Sequence, residues 1–207
     1  MPISKKNKSS EHYFSSLPKC DDSFGLIRAK LRGRNFEFLT SSSVFSKKHV
    51  DLGTNVLIDA MVLPSEGNVL DMGCGYGPVG IAAALTNPNL HVVMTDINMR
   101  AVRLAKQNVA NNRIKNAEVR FGYLYEPVAN LRFNCVLSNP PVSAGMGIVE
   151  AIIEGAAGVL AAGGNLQMVI RSKIGAKSLP KIFRSTFGTC EISARESGFR
   201  VLVGRLP

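Results

Sequence analysis

Val69-Leu70-Asp71-Met72-Gly73-Cys74-Gly75-Tyr76-Gly77-Pro78-Val79-Gly80 runs from an apolar segment through a glycine-rich turn into helix-forming residues. Val69–Met72 reads as a short strand and Val79–Leu85 as the helix after it. Glycines in such a turn permit positive φ and let the backbone approach a ligand closely. Gly75, Gly77 and Gly80 satisfy the G-x-G-x-x-G spacing of dinucleotide folds, and Asp96 lies 21 positions after Gly75, where a ribose-binding acid is expected. A nicotinamide-dependent oxidoreductase is therefore one reading. Asp71 argues against it: a carboxylate at the strand tip is unwelcome beside a pyrophosphate but suits a cationic ligand or the ammonium of an amino acid. Pro78 also removes one donor from the anion-binding end of the helix.

Outward from this turn, strand and helix patterns alternate. His91–Thr95 reads as a strand, and Asn98 caps a helix carrying Ala101, Val102, Ala105 and Val109 at helical spacing. Ala117–Phe121 and Phe133–Leu137 follow as strands. Ile148–Leu160 reads as a helix closed by Gly163-Gly164, and Leu166–Ile170 as a buried strand. A helix near Lys177–Ser185 leads to a closing pair, Cys190–Ala194 and Phe199–Leu206, hinged at Glu196-Ser197-Gly198. The expected fold class is α/β: a mostly parallel sheet covered on both faces by helices, with its last strand antiparallel.

Upstream, Ile27, Ala29 and Leu31 fall on one face of a strand and Arg28, Lys30 and Arg32 on the other. Arg32-Gly33-Arg34-Asn35 supplies turn chemistry, and Phe36 and Phe38 alternate with Glu37 and Leu39 in a returning strand. This is a hairpin with a cationic face. Val56, Leu57, Ala60 and Met61 then sit at helical spacing after Asp51, a cap. The expected organisation is a disordered basic tail over 1–10, a hairpin extension over 11–48 and one catalytic domain over 49–207.

Composition narrows the class. The chain has 207 residues, 45% of them hydrophobic, and no apolar run long enough for a membrane helix. The polar, basic N-terminus lacks a secretory h-region. Four cysteines without C-x-x-C or histidine neighbours predict no metal and reduced thiols in the cytoplasm, with Cys74 and Cys135 as small core residues. The net charge of +10 is uneven. Lys and Arg outnumber Asp and Glu ten to four in 1–48 and eight to two in 171–207, whereas 49–170 holds seven against nine. A slightly acidic centre with basic flanks suggests a small-molecule core whose edges meet a polyanion.

Ser138-Asn139-Pro140-Pro141 closes the strand ending at Leu137. Two prolines stop a strand, and the first forces Asn139 out of the α region. The Asn139 amide oxygen and the Pro140 carbonyl are then placed to accept both hydrogens of one planar NH2 group, at the sheet end where such folds keep their sites.

Val69–Ile81, Asp96 and Ser138–Pro141 together resemble class I S-adenosylmethionine-dependent methyltransferases of the amino-methylating N-P-P branch. Within it, His12-Tyr13-Phe14, Val44-Phe45-Ser46, Gly175-Ala176-Lys177-Ser178 and Gly198-Phe199-Arg200-Val201-Leu202 resemble the small-domain ribosomal RNA guanine-N2 methyltransferases and their single-domain archaeal relatives. The resemblance implies a Rossmann-like sheet of about seven strands and S-adenosylmethionine as cofactor. It implies that Asp71, Gly73, Gly75, Tyr76 and Gly77 surround the methionine portion, Asp96 holds the ribose, and Ile97 packs on adenine. Gly122-Tyr123-Leu124 falls where relatives carry an acid for the adenine amine; Tyr123 stands in its place. Asn139, Pro140 and Pro141 would be catalytic. Many N-P-P enzymes carry an aromatic residue next, on which the base stacks, whereas this chain has Val142; Phe45 is the candidate substitute.

Guanine N2 in small-subunit ribosomal RNA is the first expectation for the acceptor. Cytosine N4, adenine N6 and a protein glutamine amide present the same planar amine. The basic hairpin (Arg28, Lys30, Arg32, Arg34) and Arg171, Lys173, Lys177, Lys181 and Arg184 favour RNA. A non-catalytic RNA-binding module is the remaining class.

Overall fold

The computed structural model describes residues 24–41 and 49–207. A seven-stranded sheet forms the centre of the molecule. In chain order it contains β3 (Gly67–Met72), β4 (Leu90–Asp96), β5 (Ala117–Phe121), β6 (Phe133–Ser138), β7 (Leu160–Arg171), β8 (Glu191–Glu196) and β9 (Phe199–Arg205). Their spatial order is β5-β4-β3-β6-β7-β9-β8, and β9 runs antiparallel to both of its neighbours. The remaining pairings are parallel. The order reverses between β3 and β6, so a cleft opens beyond their C-terminal ends.

Helices α1 (Leu52–Ala60), α2 (Pro78–Thr86) and α3 (Met99–Asn111) bury their apolar faces on one side of the sheet. Helices α4 (Met146–Val159) and α5 (Ser178–Phe187) cover the other. Asp51 accepts a hydrogen bond from Thr54 N and Asn98 one from Arg100 N, so both predicted caps form.

The end of α4 departs from expectation. Gly163-Gly164 does not close α4: the helix stops at Val159, Leu160 is already extended, and the chain continues directly into β7. The glycines instead sit in an irregularity of that strand. Here β7 advances from Leu160 to Asn165 while β6 advances only from Phe133 to Cys135. Gly163 has φ of +72°, and a Cβ on Gly164 would meet Ala161 O at 2.8 Å. Glycine composition marks a bulge as well as it marks a helix end.

The hairpin consists of β1 (Phe24–Leu31) and β2 (Arg34–Ser41). Its turn is narrower than the four residues expected: Arg32 and Gly33 alone connect the strands, both at positive φ, as a type I′ hairpin turn requires. Ile27, Leu31, Phe36 and Phe38 are buried in the core shared with α1–α3. Asn108 of α3 fixes the contact. Its Oδ1 accepts from Leu39 N at 2.7 Å, and its Nδ2 donates to Leu39 O at 3.0 Å and to Tyr76 O at 2.9 Å. One buried amide thus joins the hairpin to the glycine turn. Asn108→Ala strands these partners and is expected to cost ~3 kcal/mol. A thermal melt would read that as a Tm lower by roughly 6–10 °C.

Candidate active site

The cleft holds a cavity of about 460 Å³ at the C-terminal ends of β3, β4 and β6, within the range of small-molecule sites. Its floor is the glycine turn. Gly73, Gly75 and Gly77 have φ of +73°, +58° and +94°. A Cβ on Gly73 or Gly75 would meet no heavy atom within 4 Å, so backbone there faces open space. The N–H groups of Gly73 and Cys74 both donate to Thr95 O at 2.9 Å, which ties the turn to β4.

Two carboxylates flank this floor. Asp71 is almost wholly buried, and its Oδ2 accepts from Gly80 N at 2.8 Å. Burial pushes its pKa up to about 7, against the lowering effect of that N–H and with a further rise from the Asp96 charge. A Cβ on Gly80 would lie 2.4 Å from Met94, so close packing of α2 on β4 requires glycine there. Asp96 has a role inside the protein that spacing did not reveal. Its Oδ2 accepts from Gly75 N and its Oδ1 from Asn98 N, both at 2.8 Å, so it bridges the glycine turn and the start of α3. Ile97, Gly122, Tyr123 and Leu124 line the cavity beyond it. Ile97 and Tyr123 remain well exposed.

The opposite wall carries Asn139, Pro140 and Pro141. Ser138 is buried, and its hydroxyl donates to Met72 O at 3.0 Å, locking the ends of β6 and β3 together. The Asn139 Nδ2 donates to Thr54 Oγ1 at 2.9 Å and to Asp51 Oδ2 at 3.2 Å. Asp51 and Thr54 line the same cavity. Sequence reasoning treated Asp51 only as a helix cap and overlooked Thr54. The available signal was the Asp51-x-x-Thr54 pair itself, a helix cap followed by a threonine that is buried in the first turn.

The candidate residues therefore divide. Asp71, Gly73, Gly75, Tyr76, Asp96, Ile97, Gly122, Tyr123, Leu124 and Asn139–Pro141 surround one cavity. Gly77 stands just behind it as the N-cap of α2. Val142 packs partly buried against the α4–α5 core and not on the cavity wall; Ile148 and Ile152 of α4 supply apolar surface there. Phe45 lies outside the described residues.

The basic candidates also separate. Arg28 is paired with Glu37 at 2.7 Å, and Lys30 is exposed beside it. Arg32 reaches Met61 O, at the end of α1 opposite Asp51, so the hairpin tip points away from the cavity. Arg171 lies over the Phe199 ring, 5.2 Å from its centroid, at the C-terminal end of β7. Exposed Lys173 and Lys177 follow in a loop that Arg200 holds by donating to the carbonyls of Ile174, Gly175 and Ala176.

Residues 35–203 match the family model of the methyltransferase small domain. The chain belongs to that family. It is a methyltransferase small domain 37% identical over 195 residues to the uncharacterized protein YbxB of Bacillus subtilis (strain 168), covering 93% of this chain and 97% of that protein. It is 33% identical over 205 residues to ribosomal RNA small subunit methyltransferase C of Hamiltonella defensa, covering 92% of this chain and 60% of that one. For the Serratia proteamaculans protein of the same name the identity is 30%, with 81% of this chain and 48% of that protein covered. The chain thus spans about half to three-fifths of the two ribosomal RNA small subunit methyltransferases that it matches. Among solved structures, T. thermophilus 16S rRNA N2 methyltransferase RsmC, in complex with AdoMet and guanosine, superposes with a TM-score of 0.81. It is 22% identical, with 92% of this chain and 52% of that chain covered. A precorrin-6y C5,15-methyltransferase from Geobacter metallireducens superposes at 0.64 with 15% identity, covering 82% of this chain and 94% of that one. The seven-stranded order with one antiparallel strand is the methyltransferase fold, and that fold alone serves dissimilar acceptors.

Proposed function

We propose that this chain is an S-adenosylmethionine-dependent N-methyltransferase whose acceptor is an exocyclic amine of an RNA base, guanine N2 of small-subunit ribosomal RNA before others. The observation that carries this reading is the Asn139 amide on one wall of a cavity whose floor and opposite side are the glycine turn, Asp71 and Asp96. The named relatives are ribosomal RNA small subunit methyltransferases, which supports RNA as the acceptor. The preference for guanine N2 follows the superposed 16S rRNA N2 methyltransferase, which holds guanosine. Cytosine N4, adenine N6 and a glutamine amide are the alternatives that the same amide accommodates.

The residues present fit the cofactor. Gly73 and Gly75 leave a cradle that any side chain would fill. Asp71 offers buried negative charge for an ammonium, and Asp96 retains lone pairs for ribose hydroxyls after accepting two backbone N–H groups. Ile97 and Tyr123 offer apolar surface at the adenine end. When bound, the cofactor supplies an electrophilic methyl on a positively charged sulfur.

The protein's part is alignment and electrostatics. The Asn139 oxygen and Pro140 carbonyl accept hydrogen bonds from the two N–H groups of the acceptor amine, turning its lone pair toward the donor, and the surplus N–H proton passes to water after transfer. They then stabilise positive charge as it develops on nitrogen. Reacting atoms held ~3–3.5 Å apart supply the proximity effect. Arg171, Lys173 and Lys177, at and just beyond the C-terminal end of β7, the neighbour of the strand that leads into Asn139, are assigned to RNA phosphate; Arg28, Lys30 and Arg32 belong to a second basic surface on the hairpin. The hairpin (within 11–48) is assigned as an RNA-facing extension of a catalytic domain over 49–207, working in the cytoplasm where ribosomal subunits are assembled.

Asp71 makes cofactor binding depend on pH. Only its ionised form pairs with an ammonium, and its pKa in the free protein is about 7. Affinity is therefore expected to rise by roughly tenfold from pH 6 to pH 7.5, measured by calorimetry at constant ionic strength. The function itself is tested by incubating the protein with labelled S-adenosylmethionine and small subunits lacking the modification, then digesting the RNA to nucleosides. Label in N2-methylguanosine is expected. No transfer to any RNA or protein acceptor, or tight NADH binding without S-adenosylmethionine binding, would overturn the reading.

A further inference from the structure

The helix before the glycine turn contributes two polar side chains to the cavity, and both are committed to Asn139. Its amide nitrogen donates to Thr54 Oγ1 at 2.9 Å and to Asp51 Oδ2 at 3.2 Å. A carboxylate has no proton to donate, so the branch of the amide facing Asp51 must be the NH2. That fixes the orientation of a group whose terminal torsion is otherwise broad and two-fold. The carbonyl branch is turned away from α1, while Asn139 remains part of the cavity wall.

We propose that Asp51 and Thr54 are positioning residues for methyl transfer: they hold the Asn139 amide with its oxygen toward the acceptor amine, and the Asp51 charge strengthens that oxygen as a hydrogen-bond acceptor. The proposal rests on the role given above to Asn139. A flipped amide would point its own NH2 at the incoming NH2, donor against donor. An anion bound to the amide N–H draws electron density toward the carbonyl oxygen, because hydrogen bonds in a chain polarise one another. The same negative charge, one side chain away from the reacting nitrogen, favours the positive charge that nitrogen acquires.

The two residues are themselves held firmly. Thr54 is buried and Asp51 accepts from its backbone N–H at 3.2 Å, so the first turn of α1 is closed by the same oxygen that orients Asn139. A Cβ on Gly53 would lie 2.8 Å from Phe199 Cε1, so this turn sits directly on β9. A three-member arrangement therefore links the start of α1 to the end of β6 in the cavity wall.

Thr54→Val keeps shape and removes the hydroxyl. Thr54→Ser restores it. Asp51→Asn keeps a side chain that caps helices as well as aspartate does, but removes the charge. Each full-length variant would be assayed for single-turnover transfer of labelled methyl to unmethylated small subunits, for donor affinity by calorimetry, and for the side-chain amide resonances of Asn139 by 15N NMR. For Thr54→Val and Asp51→Asn the expected result is a rate about tenfold lower, donor affinity within about twofold, and Asn139 NH2 signals moved upfield. Thr54→Ser is expected to behave as wild type. Unchanged rates and unchanged Asn139 signals would overturn the proposal. A loss of donor affinity that accounts for the whole loss of rate would overturn it too, because Asp51 and Thr54 would then act on the donor. A wild-type protein that transfers no methyl refutes the functional reading, while the Asn139 resonances still decide how its amide is held.

Discussion

Asn139→Ala is expected to lower the rate of methyl transfer by about 10²–10³-fold while leaving S-adenosylmethionine affinity within a few-fold. Removing one preorganised polar partner of a developing charge has an effect of that size, and here the loss includes alignment of the amine as well. The fold survives the change, because β6 is secured by ladder pairing with β3 and β7 and by the Ser138 bond to Met72 O. The discriminating measurement is a single-turnover rate beside a donor titration by calorimetry. Equal losses in both would assign Asn139 to donor binding and refute an acceptor role. Asn139→Asp is a useful companion: it keeps the oxygen but places a second carboxylate against Asp51, and its rate is expected to fall comparably.

Asp71→Asn is expected to weaken cofactor binding by about 10–100-fold, the usual value of a charge-assisted hydrogen bond, without destabilising the free protein. The sign follows from linkage. Burial raises the pKa of Asp71 in the folded state from 3.8 to about 7. Between those values the folded protein holds a proton that the unfolded chain releases, so stability from this residue falls as pH rises through the window and levels off above it. Asparagine carries no such penalty, and its carbonyl still accepts from Gly80 N. The Tm of the variant relative to wild type is therefore expected to rise from pH 5 to pH 7.5. A variant that melts lower at pH 7.5 would show that the carboxylate is structural. Buried charge kept at a cost to the free protein is what a binding role leaves behind.

Much of this was legible in the sequence because the signals were local. The strand–glycine turn–helix unit, the Asp51 and Asn98 caps and the alternation of β2 each depend on neighbours in the chain. The α/β order followed from segment alternation, and the antiparallel β9 from the short turn at Ser197-Gly198. What could not be read involves partners far apart in the chain. Gly163-Gly164 marks a bulge only because β6 sets a different spacing opposite it. Asn108 looks like any polar residue on a helix until Leu39 is placed beside it, 69 positions away. Thr54 acquires its role from Asn139, 85 positions later. Of the cationic residues, sequence identified the charge but not its direction: Arg28 faces Glu37, and Arg32 lies at the far end of α1.

Asp96 carries a consequence of another kind. With one oxygen on Gly75 N and the other on Asn98 N, it closes the loops after β3 and β4 into a single unit through bonds internal to the protein. A ligand entering such a site does not have to recruit its own walls. The entropy of loop ordering has been spent during folding, so little of the binding energy is diverted to it. Association then carries the thermodynamic mark of docking into a rigid, partly apolar cleft, with a heat-capacity change scaled to the ligand's buried surface and not to folding of the chain.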